Sequence, residues 1–224
     1  LMNDSSWNEF MPDGVTPDVY RNFAKYYEQD VFVAAGKQIR YRALSADALS
    51  PLERTKRIAE LFTTFKNPDK ETVLTPWRVV NMHMSECLGG WCFYNEDFTE
   101  TLEEPRFVDR GDITKDTFSN VGAKILEINS KTGLYPLYVT YSIFRERLDS
   151  IPVSERTLEK QYELWDKTVE ENIFVICKTP MAKSITKRTL LGYRQGKINA
   201  HAFDDLINQL KEKPQQFKEK VLRG

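Results

Sequence analysis

Ala123-Lys124-Ile125-Leu126-Glu127-Ile128-Asn129-Ser130-Lys131-Thr132-Gly133-Leu134 is the stretch on which the fold turns. Its first six residues alternate weakly and carry enough branched side chains for a buried strand. Asn129 to Gly133 then read as a loop, and residues 134–148 as an apolar helix. Further on, Ile173-Phe174-Val175-Ile176-Cys177 is the strongest strand signal in the chain. A helix over 154–169, with Leu158, Tyr162, Leu164 and Trp165, separates the two strands. After Pro180 come a basic helix over 181–191 and a third strand over 198–203. Strands alternating with helices predict an α/β fold around a mostly parallel sheet.

A parallel sheet receives ligands at the carboxyl ends of its strands, where loop glycine lets backbone approach and helix N-termini offer free amides. Residues 127–133 occupy such a place. Gly133 is the loop's only glycine, so the dinucleotide pattern Gly-x-Gly-x-x-Gly is absent, and no Gly-Lys-Ser/Thr follows to cradle phosphate. A carboxylate at a strand end with Thr-Gly five residues on suits a cationic, hydroxyl-bearing ligand instead.

Upstream, residues 16–65 form a helical lead-in, with Val19, Phe23, Tyr26, Tyr27 and Phe32, then Ile39, Leu44 and Leu49, then Ile58, Leu61, Phe62 and Phe65 at helical spacing. Ser50-Pro51 with Glu53 marks a helix start, and Asn67-Pro68-Asp69 breaks the run. Thr75-Pro76 opens another helix, faced by Val79, Val80, Met82, Met84 and Leu88 and stopped at Gly89-Gly90. Residues 91–120 read as a polar loop with one short strand at Arg106-Phe107-Val108. From Lys211 on, the lysine-rich tail reads as a solvated helix or frayed end. The expected organisation is an N-terminal helical region over 1–70 and a ligand-binding unit over 71–224.

The 224 residues carry 32 Lys plus Arg against 33 Asp plus Glu, a net charge of -1, so any nucleic-acid role rests on local residues. A hydrophobic fraction of 41% with 12% aromatics is that of a globular chain able to bury a core. The cysteines, Cys87, Cys92 and Cys177, make no even framework, and neither a signal segment nor a membrane-spanning run is present. A reducing cytoplasmic location follows, and Leu1-Met2-Asn3 is left out of the fold reasoning as an odd start.

Leu74-Thr75-Pro76-Trp77-Arg78-Val79-Val80 resembles the Thr-Pro helix that opens gamma-class N6-adenine DNA methyltransferases of restriction-modification systems, and residues 125–134 resemble their cofactor loop. The order matches as well, with residues 172–182 resembling the second strand and its turn. The resemblance implies a partial Rossmann-like methyltransferase fold and S-adenosylmethionine as cofactor. It implies Thr75, Pro76, Glu127, Asn129, Ser130, Thr132, Gly133 and Cys177 as cofactor-binding residues. It further implies DNA as partner through the parent protein, together with a restriction or specificity subunit or fused domains.

Three departures stand out. Asn129-Ser130-Lys131 replaces the family's small residues and second glycine, and Cys177 stands where an acid accepts from the ribose hydroxyls. No two prolines are adjacent, so the Asn-Pro-Pro-Tyr or Asp-Pro-Pro-Tyr that holds the target base is missing from these residues. The chain is therefore expected to bind cofactor weakly and to transfer no methyl group. A degenerate methyltransferase-like scaffold or DNA-recognition module is the alternative.

Other features read as structural. His83 and Cys87 lack paired metal-ligand spacing, and a core thiol beside a surface imidazole is expected. Lys178, Lys183, Lys187, Arg188 and Arg194 form a basic stretch, read by default as a solvated face that could touch phosphates. Tyr135, Tyr138 and Tyr141 read as a packed helix face, and so does Trp77, whose place one residue after Pro76 also offers it to the cofactor's adenine.

Overall fold

The structure is a computed structural model that describes residues 16–26, 28–65, 73–203 and 205–223. Leu1-Met2-Asn3, Tyr27, the side chains of Phe23 and Phe32, the Asn67-Pro68-Asp69 break and the 70/71 boundary lie outside the described residues.

The lead-in folds as α1 (Pro17–Ala24), α2 (Gln29–Ala46) and α3 (Pro51–Thr63). Ser50 caps α3 by accepting from the Glu53 amide, and Pro51 sits in the first turn, where its missing N–H costs nothing. Most of α2 is exposed, Tyr41, Val31 and Leu44 included, and among its described side chains only Ala46 at its end is fully buried. By contrast α3 inserts Ile58 and Ala59 into the same apolar core that serves the sheet.

α4 (Trp77–Cys87) leads into a hairpin of β1 (Gly90–Tyr94) and β2 (Thr101–Val108), paired antiparallel. The short strand expected at 106–108 is the end of β2, and the hairpin corrects the loop expected over 91–105. The hairpin is tied down by Asn81, whose Oδ1 accepts from the Phe93 amide at 2.8 Å, and by Ser142, which accepts from the Trp91 amide at 3.0 Å.

The sheet consists of β3 (Ile125–Ser130), β4 (Ile173–Cys177) and β5 (Asn199–Ala202), all parallel and in that spatial order. α5 (Leu134–Asp149) and α6 (Leu158–Asn172) connect β3 to β4, and α7 (Pro180–Leu191) connects β4 to β5. All five β4 residues are buried. Ile173, Val175 and Cys177 join the main core with α5 and α7, while Phe174 and Ile176 meet Phe203 on the other face. That second face is closed by α9 (Pro214–Arg223), which follows α8 (Leu206–Glu212) and buries Phe217 and Val221. The tail is thus a packed element rather than a frayed end. α9 covers β4 and β5, and β3 keeps Leu126 and Ile128 exposed, at 45% and 58%.

Candidate functional site

Thr75-Pro76 precedes α4 in extended backbone. Pro76 takes the cap position with ψ 149° and has no side-chain acceptor, so Thr75 is not the helix cap. Thr75 is half-buried and Pro76 exposed. Asn129 and Ser130, expected in the loop, belong to β3, and the segment reaches the 131–133 loop through Lys131, whose Nζ donates to the Val73 carbonyl at 3.4 Å. Two sequence motifs some fifty residues apart therefore adjoin. Trp77 is not open to a ligand: it is buried, edge-on to Phe93 at 5.3 Å and tilted against Tyr138.

Glu127 lies on the helix-covered face of β3, beside Val175. It opens onto a cavity of about 330 Å³ walled by Met84, Leu88, Ile125, Tyr135, Val139 and Ile173 among others. Its Oε2 is shielded from solvent and unpartnered. Burial pushes the carboxyl up to about 7, with a hydrogen bond from Ser130 pulling the other way. A carboxylate in an apolar cavity with one oxygen unsatisfied is a site for a proton or a cation. At the same cavity the Tyr135 hydroxyl is 3.1 Å from Nδ1 of His83. The tyrosine row on α5 thus divides, with Tyr138 and Tyr141 fully buried and Tyr135 lining the cavity.

The loop itself is held from above by α7. Ser130 Oγ is 3.1 Å from Thr186 Oγ1, and Thr189 Oγ1 donates to the Thr132 carbonyl at 2.6 Å. Gly133 has φ 78°, and a Cβ there would stand 3.1 Å from the Thr186 Cα and 3.2 Å from the Thr189 Cβ. This glycine is required by the helix packed over it and by its left-handed backbone, where close approach of a ligand was expected. Cys177, paired in register with Ser130, is 1% exposed, and its thiol donates to Thr186 Oγ1 at 3.9 Å. Burial pushes that thiol up to about 11.

At the carboxyl ends of the three strands lies a second crevice of about 320 Å³, lined by Asn129, Ile176, Cys177, Lys178, Phe203, Asp205, Leu206 and Ile207. Asn129 is exposed and left-handed, at φ 69°, where the β3–β4 register shifts by one residue. Asp205 caps α8 by accepting from the Asn208 amide at 3.4 Å. Sequence reading missed Asp205. An acid just past a strand, with Asn three residues on, was the signal that could have found it.

The eight sequence-predicted residues therefore separate into groups. Glu127 faces the first cavity, and Asn129 and Cys177 line the crevice. Ser130, Thr132 and Gly133 are buried beneath α7, and Thr75 and Pro76 belong to the segment beside Lys131. Comparison with family models, curated proteins and solved structures finds no match to this chain. No group of three metal-ligating side chains occurs among the described residues. Cys87 is exposed beside exposed His83, which corrects the expected core thiol. No helix among the described residues is long and apolar enough to cross a membrane.

Proposed function

We propose that this chain is the S-adenosylmethionine-binding part of an adenine-N6 DNA methyltransferase of a restriction-modification system, built on a partial Rossmann-like sheet. The observation that carries the reading is the parallel β3-β4-β5 sheet with a crevice at its carboxyl ends, rimmed by left-handed Asn129 and the Asp205 carboxylate. Such ends are where doubly wound sheets take nucleoside ligands. The residues present fit the cofactor in part. The unpartnered Glu127 oxygen, in its own cavity beneath α5, suits a cationic ammonium or sulfonium, and Asn129 and Asp205, at the separate crevice, supply polar groups for a nucleoside. Cys177 supplies none, since its thiol is turned to Thr186 inside the core. Bound cofactor would bring an activated methyl group. The chain's own residues bind and orient it, and without adjacent prolines to hold a flipped base the chain transfers no methyl itself. DNA and a restriction or specificity subunit or fused domains are partners of the parent protein in this reading.

A second reading, a methyltransferase-like scaffold that binds no cofactor, is favoured by one observation: Ser130, Thr132, Gly133 and Cys177 are all enclosed by α7. Calorimetry with S-adenosylmethionine separates the two. The cofactor reading predicts saturable heat, weakened about tenfold or more in Glu127→Gln, the loss of one charge-assisted contact of roughly 1.5 kcal/mol. Affinity also falls as pH drops below about 7, where the Glu127 carboxylate takes up its proton. No heat at millimolar cofactor supports the scaffold.

A further inference from the structure

The basic stretch on and after α7 is not uniform. Arg188 is spent on Tyr193, 4.3 Å from its ring, and on the Gly192 carbonyl. Arg194 is spent on Asp166, at 2.9 Å, and on the Tyr162 ring. Lys183 and Lys187, one turn apart on α7 and both exposed, have no ion-pair partner among the described residues.

These two lysines belong to an open groove of about 1590 Å³ along the β5 edge of the sheet, whose walls also carry Lys124, Lys197 and Lys220. Three acids share those walls. Glu170 is paired with Lys197 at 3.1 Å and Glu171 with Arg147 at 2.8 Å, and Glu219 lies beside Lys220 in the sequence. Lys124 rests over the Phe174 ring. Lys183, Lys187 and Lys220 remain as the groove's cations held by neither an ion pair nor a ring among the described residues, and they come from both sides of an edge strand. Their field reaches the groove wall: His201 on β5 is held below its ordinary pKa by burial and then by Lys183.

We propose that this groove binds the phosphate backbone of a nucleic-acid duplex, outside the cofactor site and independently of whether cofactor binds. Charge complementarity requires a polyanion, and the lining chooses among polyanions. An acidic protein partner would be anchored by aromatic or large apolar side chains at the centre of the contact. Here Phe174 and Phe203 are buried, and Val121 and Leu222 are the exposed large apolar residues. A single strand would stack its bases on exposed rings, and the groove offers none. Lysines are flexible point charges suited to phosphates irrespective of sequence.

The test is fluorescence anisotropy of the 224-residue chain with labelled duplexes, DNA and RNA in separate arms, across a salt series. With about three phosphate contacts, affinity for DNA should fall about 40-fold between 50 and 200 mM salt, and in Lys183→Ala/Lys187→Ala only about three- to fourfold, from a weaker start. The variant should weaken binding equally for unrelated duplex sequences. Lys211→Ala/Lys213→Ala, on and next to α8, should bind like the parent. The replaced lysines are exposed, so unchanged circular dichroism is expected to accompany the loss. A DNA arm at least as tight as the RNA arm identifies DNA as the source of the phosphates, and a tighter RNA arm assigns the groove to RNA duplexes. No duplex binding at 50 mM salt, an unchanged salt slope in the variant, equal affinity for single strands, or full competition by polyglutamate would each overturn the proposal.

Discussion

Glu127 and Cys177 project from neighbouring parallel strands onto the same face of the sheet, yet their surroundings are opposite. Cys177 is on the central strand β4, enclosed by α7, with its thiol satisfied by Thr186. Glu127 is on the edge strand β3, next to a cavity, with one oxygen unsatisfied and its carboxyl pushed up to about 7. Both were expected at the same cofactor site, Glu127 as its carboxylate and Cys177 in the place of a second acid. What separates them is the rank of their strand in the sheet, since a central strand is covered by helices on both faces while an edge strand is covered in part.

The sharpest way to break this contrast is Cys177→Asp. A carboxylate set among Ile173, Val175 and α7 has only the Thr186 hydroxyl to offset its desolvation, and the variant should lose about 3 kcal/mol of stability. Thermal melts check it. A variant that melts like the parent while binding cofactor more tightly would return Cys177 to the ligand site.

Gly133→Val comes next, at about 3 kcal/mol, because a β-branched residue is strained at φ 78° and its Cβ must displace α7 backbone at Thr186. Urea unfolding should show a lower midpoint with or without cofactor. Loss of cofactor binding at parental stability would mean that the ligand, and not α7, needs the glycine.

The pH dependence sharpens the Glu127 side. Its folded carboxyl titrates near 7 against an ordinary 4.5, so the folded chain holds the extra proton between those values. Stability therefore falls as pH rises from 4.5 to 7, by about 3 kcal/mol. Glu127→Gln should flatten that slope in denaturant titrations. An unchanged slope would place the carboxylate in water.

The smallest effect is expected from Thr189→Val, which removes the donor to the Thr132 carbonyl and should cost about 1 kcal/mol by chemical denaturation. A neutral substitution would show that the loop holds its shape without α7.

The elements around this contrast were legible to different degrees. Periodicity and capping announced α3, β3, α5 and β4, because Ser50 and the apolar runs act over a few residues. Of the β1–β2 hairpin only the end of β2 at 106–108 was legible, because the rest of β2 is largely exposed and carries Glu103, Glu104 and Pro105, so no apolar alternation marks it. Among the described side chains of α9 only Phe217 and Val221 are buried, too few to distinguish a packed helix from a solvated one. The grip of Thr186 and Thr189 on residues 130–133 spans more than fifty positions, and nothing local encodes it. The burial of Cys177 was missed for the same reason, whereas Glu127 was singled out as an acid at a strand end before Thr-Gly, although β3 runs three residues past it.

Amide hydrogen exchange with and without millimolar S-adenosylmethionine tests the central claim most directly. The account predicts added protection at Asn129 and in Asp205 to Asn208, where the crevice rim lies, with the lysine groove along β5 unchanged. Protection confined to α2 or the hairpin, or none at any position, would contradict it.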